Sequence, residues 1–205
     1  MILKIDKIIE EIKHPPNPND PLIITPLPNI EELQKSGSAS IDLRLGSWFL
    51  VPRPTRITHF DIYNDHDKQS LNEAKLVRYV YVPFGESFVL HPKSFILGVT
   101  LEWIRLPTNR AGYVTARSSW GRYGLIIATA TGVHPGFSGC LTLELANIGE
   151  VPIVVKPGTA ICQLFIHTVD HRESDIDKSN FIGQRRPILG IISLDNIAQH
   201  LIRKI

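Results

Sequence analysis

Cysteine is scarce in this sequence, and long apolar runs are absent from it. The 205 residues include two cysteines, Cys140 and Cys162, which do not form the C-x-x-C pair of a structural zinc site. Both lie in apolar stretches, so we expect buried free thiols of the kind common in a reducing cytoplasm. No stretch approaches the roughly 20 apolar residues of a membrane span. The charges spread through residues 1–14 are not typical of a signal peptide. We therefore expect a cytoplasmic protein without a membrane partner.

An excess of charge of one sign is also missing. The 22 lysine and arginine residues oppose 20 aspartate and glutamate residues, which gives a formal net charge of +2. This surplus is too small to predict a nucleic-acid partner. A phosphate-binding site would need a local cluster of basic groups instead. The 43% of hydrophobic residues and 20% of charged residues are typical of a soluble globular protein.

The two ends of the chain differ in composition from its middle. Apolar spacing predicts a short amphipathic helix over residues 2–13, and the proline-rich run 15–21 predicts an irregular surface connector. Residues 61–78 are polar and predict an insertion loop or a short helix. Residues 169–188 are polar without periodicity, and residues 192–203 predict a short closing helix.

The middle of the chain is typical of a mainly β protein. Short runs of Val, Ile, Leu, Phe and Thr alternate with Gly, Pro and Asn, which predicts an all-β sandwich or barrel. The predicted strands are 40–44, 47–52, 79–82, 87–90, 95–104, 111–116, 125–131, 140–146, 151–155 and 160–168. We expect a single domain over residues 1–205. Its parts would be a helix and connector over 1–34, a β core over 35–168, and a tail with the closing helix over 169–205.

One segment carries a candidate phosphate site. Arg117, Ser118, Ser119 and Arg122 place two guanidinium groups and two hydroxyls close together, beside two glycines. Arginine offers a planar fork of donors, and small residues let backbone N–H groups approach phosphate oxygens. The alternative is a turn at the head of a short helix with solvated arginines. Composition alone leaves both interpretations open.

Glu144 is the candidate catalytic base. The predicted strand 140–146 alternates three leucines on one face with Glu144 and small residues on the other. A carboxylate in this setting would be desolvated, as a general base or acid needs. The alternatives are a solvated glutamate on an exposed strand face and a structural partner of an arginine.

Ordered motifs run through most of the chain. The pattern RSSxxRxGL at 117–125 precedes a glycine-rich turn at 132–139 and a strand with LTLE at 141–144. Further motifs are ASIDLRLG at 39–46, FVLHP at 88–92, LGVTLE at 97–102, LP at 106–107, KPG at 156–158, ICQL at 161–164 and FIGQ at 181–184. Together they resemble the deoxycytidine triphosphate deaminase family, which shares its fold with trimeric dUTPase. The resemblance covers roughly residues 35–190.

The resemblance implies a fold, an assembly and an activity. The fold is a mainly β, dUTPase-like distorted β-barrel or jelly roll of the β-clip type, with short terminal helices. The assembly is a homotrimer with active sites between subunits. The activity is hydrolytic deamination of dCTP to dUTP and ammonia, with Mg²⁺ carried by the triphosphate and without zinc. The H-x-E match at 171–173 lacks the P-C-x-x-C that follows it in zinc deaminases, so we interpret it as chance.

The resemblance also implies site residues. Glu144 would activate the water that attacks cytosine C4, while Ser118 and Arg122 would orient that water and contact phosphates. The substrate-binding residues would be Arg117, Ser119, Ala130, Thr131, His134, Gln163, Lys178, Phe181 and Gln184. The tail that contains Gln184 would close over the nucleotide.

Three functions stay open. The dUTPases carry an apolar residue at the Glu144 position and an aspartate where this chain has His134, which favours deamination here. The glycine-rich turn is slightly shorter than in most deaminases. A bifunctional enzyme or a dUTPase, either of which forms dUMP and pyrophosphate, is therefore an alternative. His134, Gly132 and Phe181 depart from the residues usual in the family, which leaves a third possibility, a non-catalytic nucleotide-binding regulatory protein.

Overall fold

The computed structural model describes residues 1–56, 76–127, 132–170 and 182–190. Antiparallel strands dominate these ranges. The helices in them are α1 (Ile5–Lys13), α2 (Ile30–Ser36) and α3 (Ser118–Gly121). The strands are β1 (Ile23–Thr25), β2 (Ile41–Arg44), β3 (Trp48–Pro52), β4 (Val77–Tyr81), β5 (Phe88–Leu90), β6 (Phe95–Arg105), β7 (Arg110–Ala116), β8 (Leu125–Ile127), β9 (Gly132–Val133), β10 (Ser138–Asn147), β11 (Ile153–Val155) and β12 (Ala160–Thr168). None of the helices in these ranges is long and apolar enough to span a membrane.

The strands form three sheets. The largest has the order β4-β3-β6-β10-β8, and β1 pairs with another part of β6. The second sheet has the order β2-β12-β7-β9, and the third is the pair β11-β5. The predicted mainly β fold is confirmed, although the strands in the described ranges make open sheets and not a closed barrel.

The N-terminal region holds more regular structure than its sequence predicts. The first helix begins at Ile5 and not at residue 2, because Ile2 bridges to His167 and the Leu3 N–H donates to the Ile166 carbonyl at 2.8 Å. Residues 15–21 are irregular, as predicted. The rest of the predicted connector contains regular structure. Strand β1 pairs with the end of β6, and Asn29 caps the first turn of α2.

Other predicted boundaries move by a few residues. The predicted insertion 61–78 is wrong at its end, since Val77 and Arg78 belong to β4 and pair with β3. The predicted glycine turn begins with the short strand β9, which pairs with β7. Most of the insertion, the end of the predicted strand 125–131 and the closing helix 192–203 lie outside the described residues.

One large hydrophobic cluster draws on both larger sheets and on α1. Leu143 and Leu145 of β10 and Leu164 of β12 are all fully buried within it. Each such side chain stabilises the fold by about 1.5–3 kcal/mol relative to an exposed one. Because alternate residues of β10 are buried, the other face of this strand is turned away from the core.

A buried ion pair ties α1 to the second sheet. Arg110 donates from Nε to Glu11 Oε2 at 3.0 Å and from Nη2 to Glu11 Oε1 at 2.6 Å. The two side chains are 10% and 3% exposed. This paired geometry satisfies the carboxylate, which would be costly to bury alone.

The two cysteines are free thiols in different settings. Cys162 is buried, as predicted, whereas Cys140 is only partly buried because it lies on the outer face of β10. Burial, with smaller contributions from Glu102 and Asp42, raises the pKa of Cys162 from 9.0 to about 12.

This pKa predicts an alkaline loss of stability that Cys162→Ala removes. Below pH 9.0 the thiol is neutral in both the folded and unfolded states, whereas above it only the unfolded chain ionises. At pH 10.5 the ionisation of this thiol should therefore have lowered the free energy of unfolding of wild type by about 2 kcal/mol. The variant lacks the thiol, so its free energy of unfolding should not show this decrease. Urea unfolding at pH 8 and pH 10.5, at one fixed protein concentration, measures this difference. A gap between the two proteins that is the same at both pH values would contradict it.

Candidate active site

The predicted phosphate cluster lies at the end of β7 and on α3. Two bonds attach this segment to β12: the Arg117 N–H donates to the Ile161 carbonyl at 3.2 Å, and Trp120 Nε1 donates to the Ala160 carbonyl at 3.0 Å. Ser118, Ser119 and Arg122 are exposed. Their side chains make no hydrogen bond or ion pair to another described residue, so these donors are available to a ligand.

Asp42, which was not among the predicted site residues, links Arg117 of the cluster to Gln163. Its carboxylate lies 3.0 Å from Arg117 Nη1 and accepts a 3.0 Å hydrogen bond from Gln163 Nε2. Gln163 lies opposite both Asp42 on β2 and Thr115 on β7. The structure therefore brings together Arg117 and Gln163, two of the predicted substrate-binding residues. The available signal was an acidic residue between the apolar residues of the 39–46 motif.

A contact between two glycines joins α3 to the end of β10. A Cβ on Gly124, which has a φ of 90°, would lie 2.7 Å from the backbone nitrogen of Gly149. The Ile148 N–H also donates to the Gly124 carbonyl at 2.9 Å. A side chain at position 124 would thus be strained and would also clash. Glycine at position 124 therefore allows the α3 segment to pack closely against the end of the strand that carries Glu144.

Glu144 lies on the outer face of β10, opposite Leu97 of β6. It is partly exposed, so the expected desolvation is incomplete within one chain. Its carboxylate makes no ion pair or hydrogen bond among the described residues. The structure therefore has no hydrogen bond or ion pair between Glu144 and Ser118 or Arg122 of the same chain.

His134 opens the glycine-rich turn. Its carbonyl accepts a 3.2 Å hydrogen bond from the Phe137 N–H, and Gly136 has a φ of 75°. Phe137 is buried against the core, whereas His134 is exposed. The imidazole has no partner within the described ranges and is open to solvent or a ligand.

The remaining predicted residues come from other parts of the chain. Gln184 is partly buried, and its carbonyl accepts a 2.8 Å hydrogen bond from the Cys140 N–H. Ala130, Thr131, Lys178 and Phe181 lie outside the described residues. In the ranges that are described, no three His, Cys, Asp or Glu side chains are grouped to hold a metal ion.

Comparison with known proteins identifies the family. A family model described as dCTP deaminase-like matches residues 6–169. The chain belongs to the dCTP deaminase-like family. The matched range contains Asp42, α3, His134, Glu144 and Gln163.

Curated relatives share much of this dCTP deaminase-like sequence. A protein of Methanobrevibacter smithii named "dCTP deaminase, dUMP-forming" is 35% identical over 170 residues, which are 82% of this chain and 81% of that protein. One of Corynebacterium diphtheriae with the same name is 40% identical over 73% of this chain and 79% of its own length. A "dCTP deaminase" of Rhodospirillum rubrum is 37% identical over 70% of this chain and 72% of its own length.

A solved structure shares the fold. The crystal structure of 2'-deoxycytidine 5'-triphosphate deaminase from Agrobacterium tumefaciens matches with a TM-score of 0.58 and 22% sequence identity. The match covers 82% of this dCTP deaminase-like chain and spans 48% of that one. The fold predicted from the motifs is therefore confirmed.

Proposed function

We propose that the protein catalyses the hydrolytic deamination of dCTP to dUTP and ammonia. The observation that carries the proposal is the dCTP deaminase-like match over residues 6–169. It includes Glu144, which lies on the outer face of β10 and has no ion pair or hydrogen bond to another described residue. The relative of Rhodospirillum rubrum, which is 37% identical, bears the name of this activity.

Glu144 is the proposed general base. Its carboxylate takes a proton from a water molecule as the oxygen adds to C4 of cytosine, and this proton passes to N3 of the ring. The carboxylate then carries the proton of the new C4 hydroxyl to the amino group, which departs as ammonia and leaves the C4 carbonyl. The products are dUTP and ammonia, so one water is consumed for each dCTP. A glutamate suits this role because its carboxylate can accept a proton from one reacting atom and then donate it to another. Ser118 and Arg122 would orient the water and stabilise the charge that develops on the ring.

The cluster on α3 is the proposed triphosphate site. Arg117 is held by Asp42, and Ser118, Ser119 and Arg122 have no side-chain partner among the described residues, so the cluster offers charged and neutral donors to phosphate oxygens. The Mg²⁺ ion would arrive bound to the triphosphate. The other proposed substrate contacts are Ala130, Thr131, His134, Gln163, Lys178, Phe181 and Gln184.

We further propose that the complete site forms between subunits of a homotrimer. Within one chain Glu144 makes no hydrogen bond or ion pair with Ser118 or Arg122, although the chemistry needs these groups at one nucleotide. A neighbouring copy could supply the phosphate donors to the subunit whose Glu144 faces the base. Sedimentation equilibrium of the purified protein measures the assembly directly.

The second candidate is a bifunctional reaction that ends in dUMP, pyrophosphate and ammonia. It is favoured by the names of the relatives from Methanobrevibacter smithii and Corynebacterium diphtheriae, which are 35% and 40% identical. The additional step needs a water directed at phosphorus, and His134 stands where dUTPases carry an aspartate. A neutral imidazole can accept a hydrogen bond from such a water, but it lacks the fixed negative charge.

Product analysis separates the candidates. Labelled dCTP is incubated with the purified protein and Mg²⁺, and ammonia, dUTP, dUMP and pyrophosphate are measured over time. We expect ammonia and dUTP to appear in equal amounts. Equal amounts of ammonia, dUMP and pyrophosphate would establish the second candidate instead. If dCTP yields no ammonia, both are wrong. Labelled dUTP supplied alone shows whether pyrophosphate release can follow separately.

A further inference from the structure

The C-terminal segment 182–190 crosses the outer face of the largest sheet. At β10 it is held by two backbone hydrogen bonds: the Gly183 N–H donates to the Ser138 carbonyl at 2.7 Å, and the Cys140 N–H donates to the Gln184 carbonyl at 2.8 Å. This is the strand that carries Glu144. The segment therefore lies along the start of the strand on which the proposed chemistry takes place.

The next two residues of the segment contact the next two strands. The Arg185 guanidinium lies 4.8 Å from the ring centroid of Trp103 on β6, and the Arg186 guanidinium lies 4.0 Å from that of Trp48 on β3. The order β10, β6, β3 is the order of these strands in the sheet. Both distances are within the range of cation–π attraction, for which tryptophan is the best aromatic partner.

The sheet surface is built to receive this segment. A Cβ on Gly139 would lie 3.3 Å from the Gln184 carbonyl oxygen, so glycine allows the close approach. At the far end of the crossing, Trp48 of β3 packs against Tyr81 of β4 with a distance of 5.0 Å between the ring centroids. This packing limits the freedom of the indole ring and presents its face to Arg186.

We propose that Trp48 and Trp103 are positioning residues for the deamination: by holding Arg186 and Arg185, they keep Gln184 docked beside β10. Glu144 lies four residues beyond Cys140 on β10, roughly 13 Å along the strand. Docking therefore fixes Gln184, a proposed substrate contact, beside the strand that carries Glu144. The positioning role rests on the proposed function, whereas the docking itself does not.

Amide hydrogen exchange tests the docking without reference to activity. The Cys140 N–H is protected by Gln184, so loss of the docked state exposes it. We expect Arg185→Met and Arg186→Met, which keep the side-chain length but remove the charge, each to accelerate Cys140 exchange about threefold or more, and the double variant about tenfold or more. Thiol labelling is a poorer readout, because burial raises the pKa of Cys140 while Arg185 lowers it.

Matched variants separate docking from general destabilisation. Arg53→Met removes an exposed arginine that follows β3 and should leave Cys140 exchange unchanged. Trp48→Leu and Trp103→Leu should accelerate it, and Trp48→Phe and Trp103→Phe should recover part of the protection, because the aromatic face remains. Exchange at Leu164 in β12 should stay slow in every variant. Unchanged Cys140 exchange in both arginine variants would overturn the docking.

Steady-state kinetics test the positioning role. In the arginine and tryptophan-to-leucine variants we expect kcat/KM for dCTP to fall about fivefold or more, mainly through a higher KM, because Glu144 is untouched. The phenylalanine variants should recover part of the loss. Accelerated exchange with unchanged kcat/KM would overturn the positioning role. If wild type releases no ammonia from dCTP, this role fails with the proposed function, while the exchange measurement still decides the docking.

Discussion

Replacing Glu144 by glutamine should lower ammonia release from dCTP by about 10³-fold or more while nucleotide binding persists. Glutamine keeps the size of the side chain and its hydrogen-bonding carbonyl, but it cannot take a proton from water. Because Glu144 lies on the outer face of β10 and has no described partner, the substitution should disturb neither the core nor an ion pair. Rapid-quench or coupled ammonia assays measure the rate, and calorimetric titration with dCTP and Mg²⁺ measures binding.

Glu150→Gln is the matched control for this prediction. Glu150 is an exposed glutamate in the turn that follows β10, and it is not among the proposed catalytic or substrate-binding residues. Its variant should keep wild-type turnover. If Glu144→Gln retains more than about a tenth of wild-type activity, Glu144 is not the general base, since such groups contribute about 10²–10⁴-fold. Loss of both binding and activity would instead indicate a role in holding the nucleotide.

Replacing Arg110 by methionine should destabilise the protein by about 3–5 kcal/mol. The change leaves Glu11, whose side chain is 3% exposed, buried without its two hydrogen bonds. Removing one member of a buried pair is costly, whereas replacing both members by apolar groups is often nearly neutral. Urea unfolding at fixed protein concentration measures the loss.

The double variant Glu11→Leu/Arg110→Met separates this effect from lost packing. We expect it to recover most of the stability lost in Arg110→Met, because no charge is then left unpaired. Glu11→Leu alone should also be strongly destabilised, since it leaves the guanidinium unpaired. Simple addition of the two single effects in the double variant would show that the pair is not coupled.

The β10 strand illustrates what local pattern can predict. Three leucines alternating with small residues and Glu144 predict both the strand and the face of its glutamate, and the structure has this arrangement. The other strands of the middle region are predicted by short apolar runs that are separated by glycine, proline and asparagine. Side-chain alternation in a half-buried strand is a property of neighbouring residues, so it can be read without knowing the partner strands.

Contacts between distant segments could not be predicted in this way. Asp42 and Gln163 are far apart in sequence and meet only because β2 pairs with β12 in one register. Strand β1 lies in a proline-rich stretch and forms because the end of β6 offers it a partner. The contacts of Arg185 and Arg186 with two tryptophans likewise depend on the order of strands in the sheet. Tertiary pairing, rather than local propensity, decides all three.

Because the C-terminal segment crosses the sheet, the number of residues between its contact with β10 and its contacts with the two tryptophans is limited. An extended chain advances about 3.3 Å per residue, and neighbouring strands lie about 4.8 Å apart. Gln184 is held at β10, and the adjacent Arg185 and Arg186 contact rings on β6 and β3, so the long arginine side chains span the separation between these rings. Substitutions at solvent-facing positions of the segment would leave this correspondence intact. A single inserted or deleted residue before Arg185 would displace both arginines from their tryptophans at once.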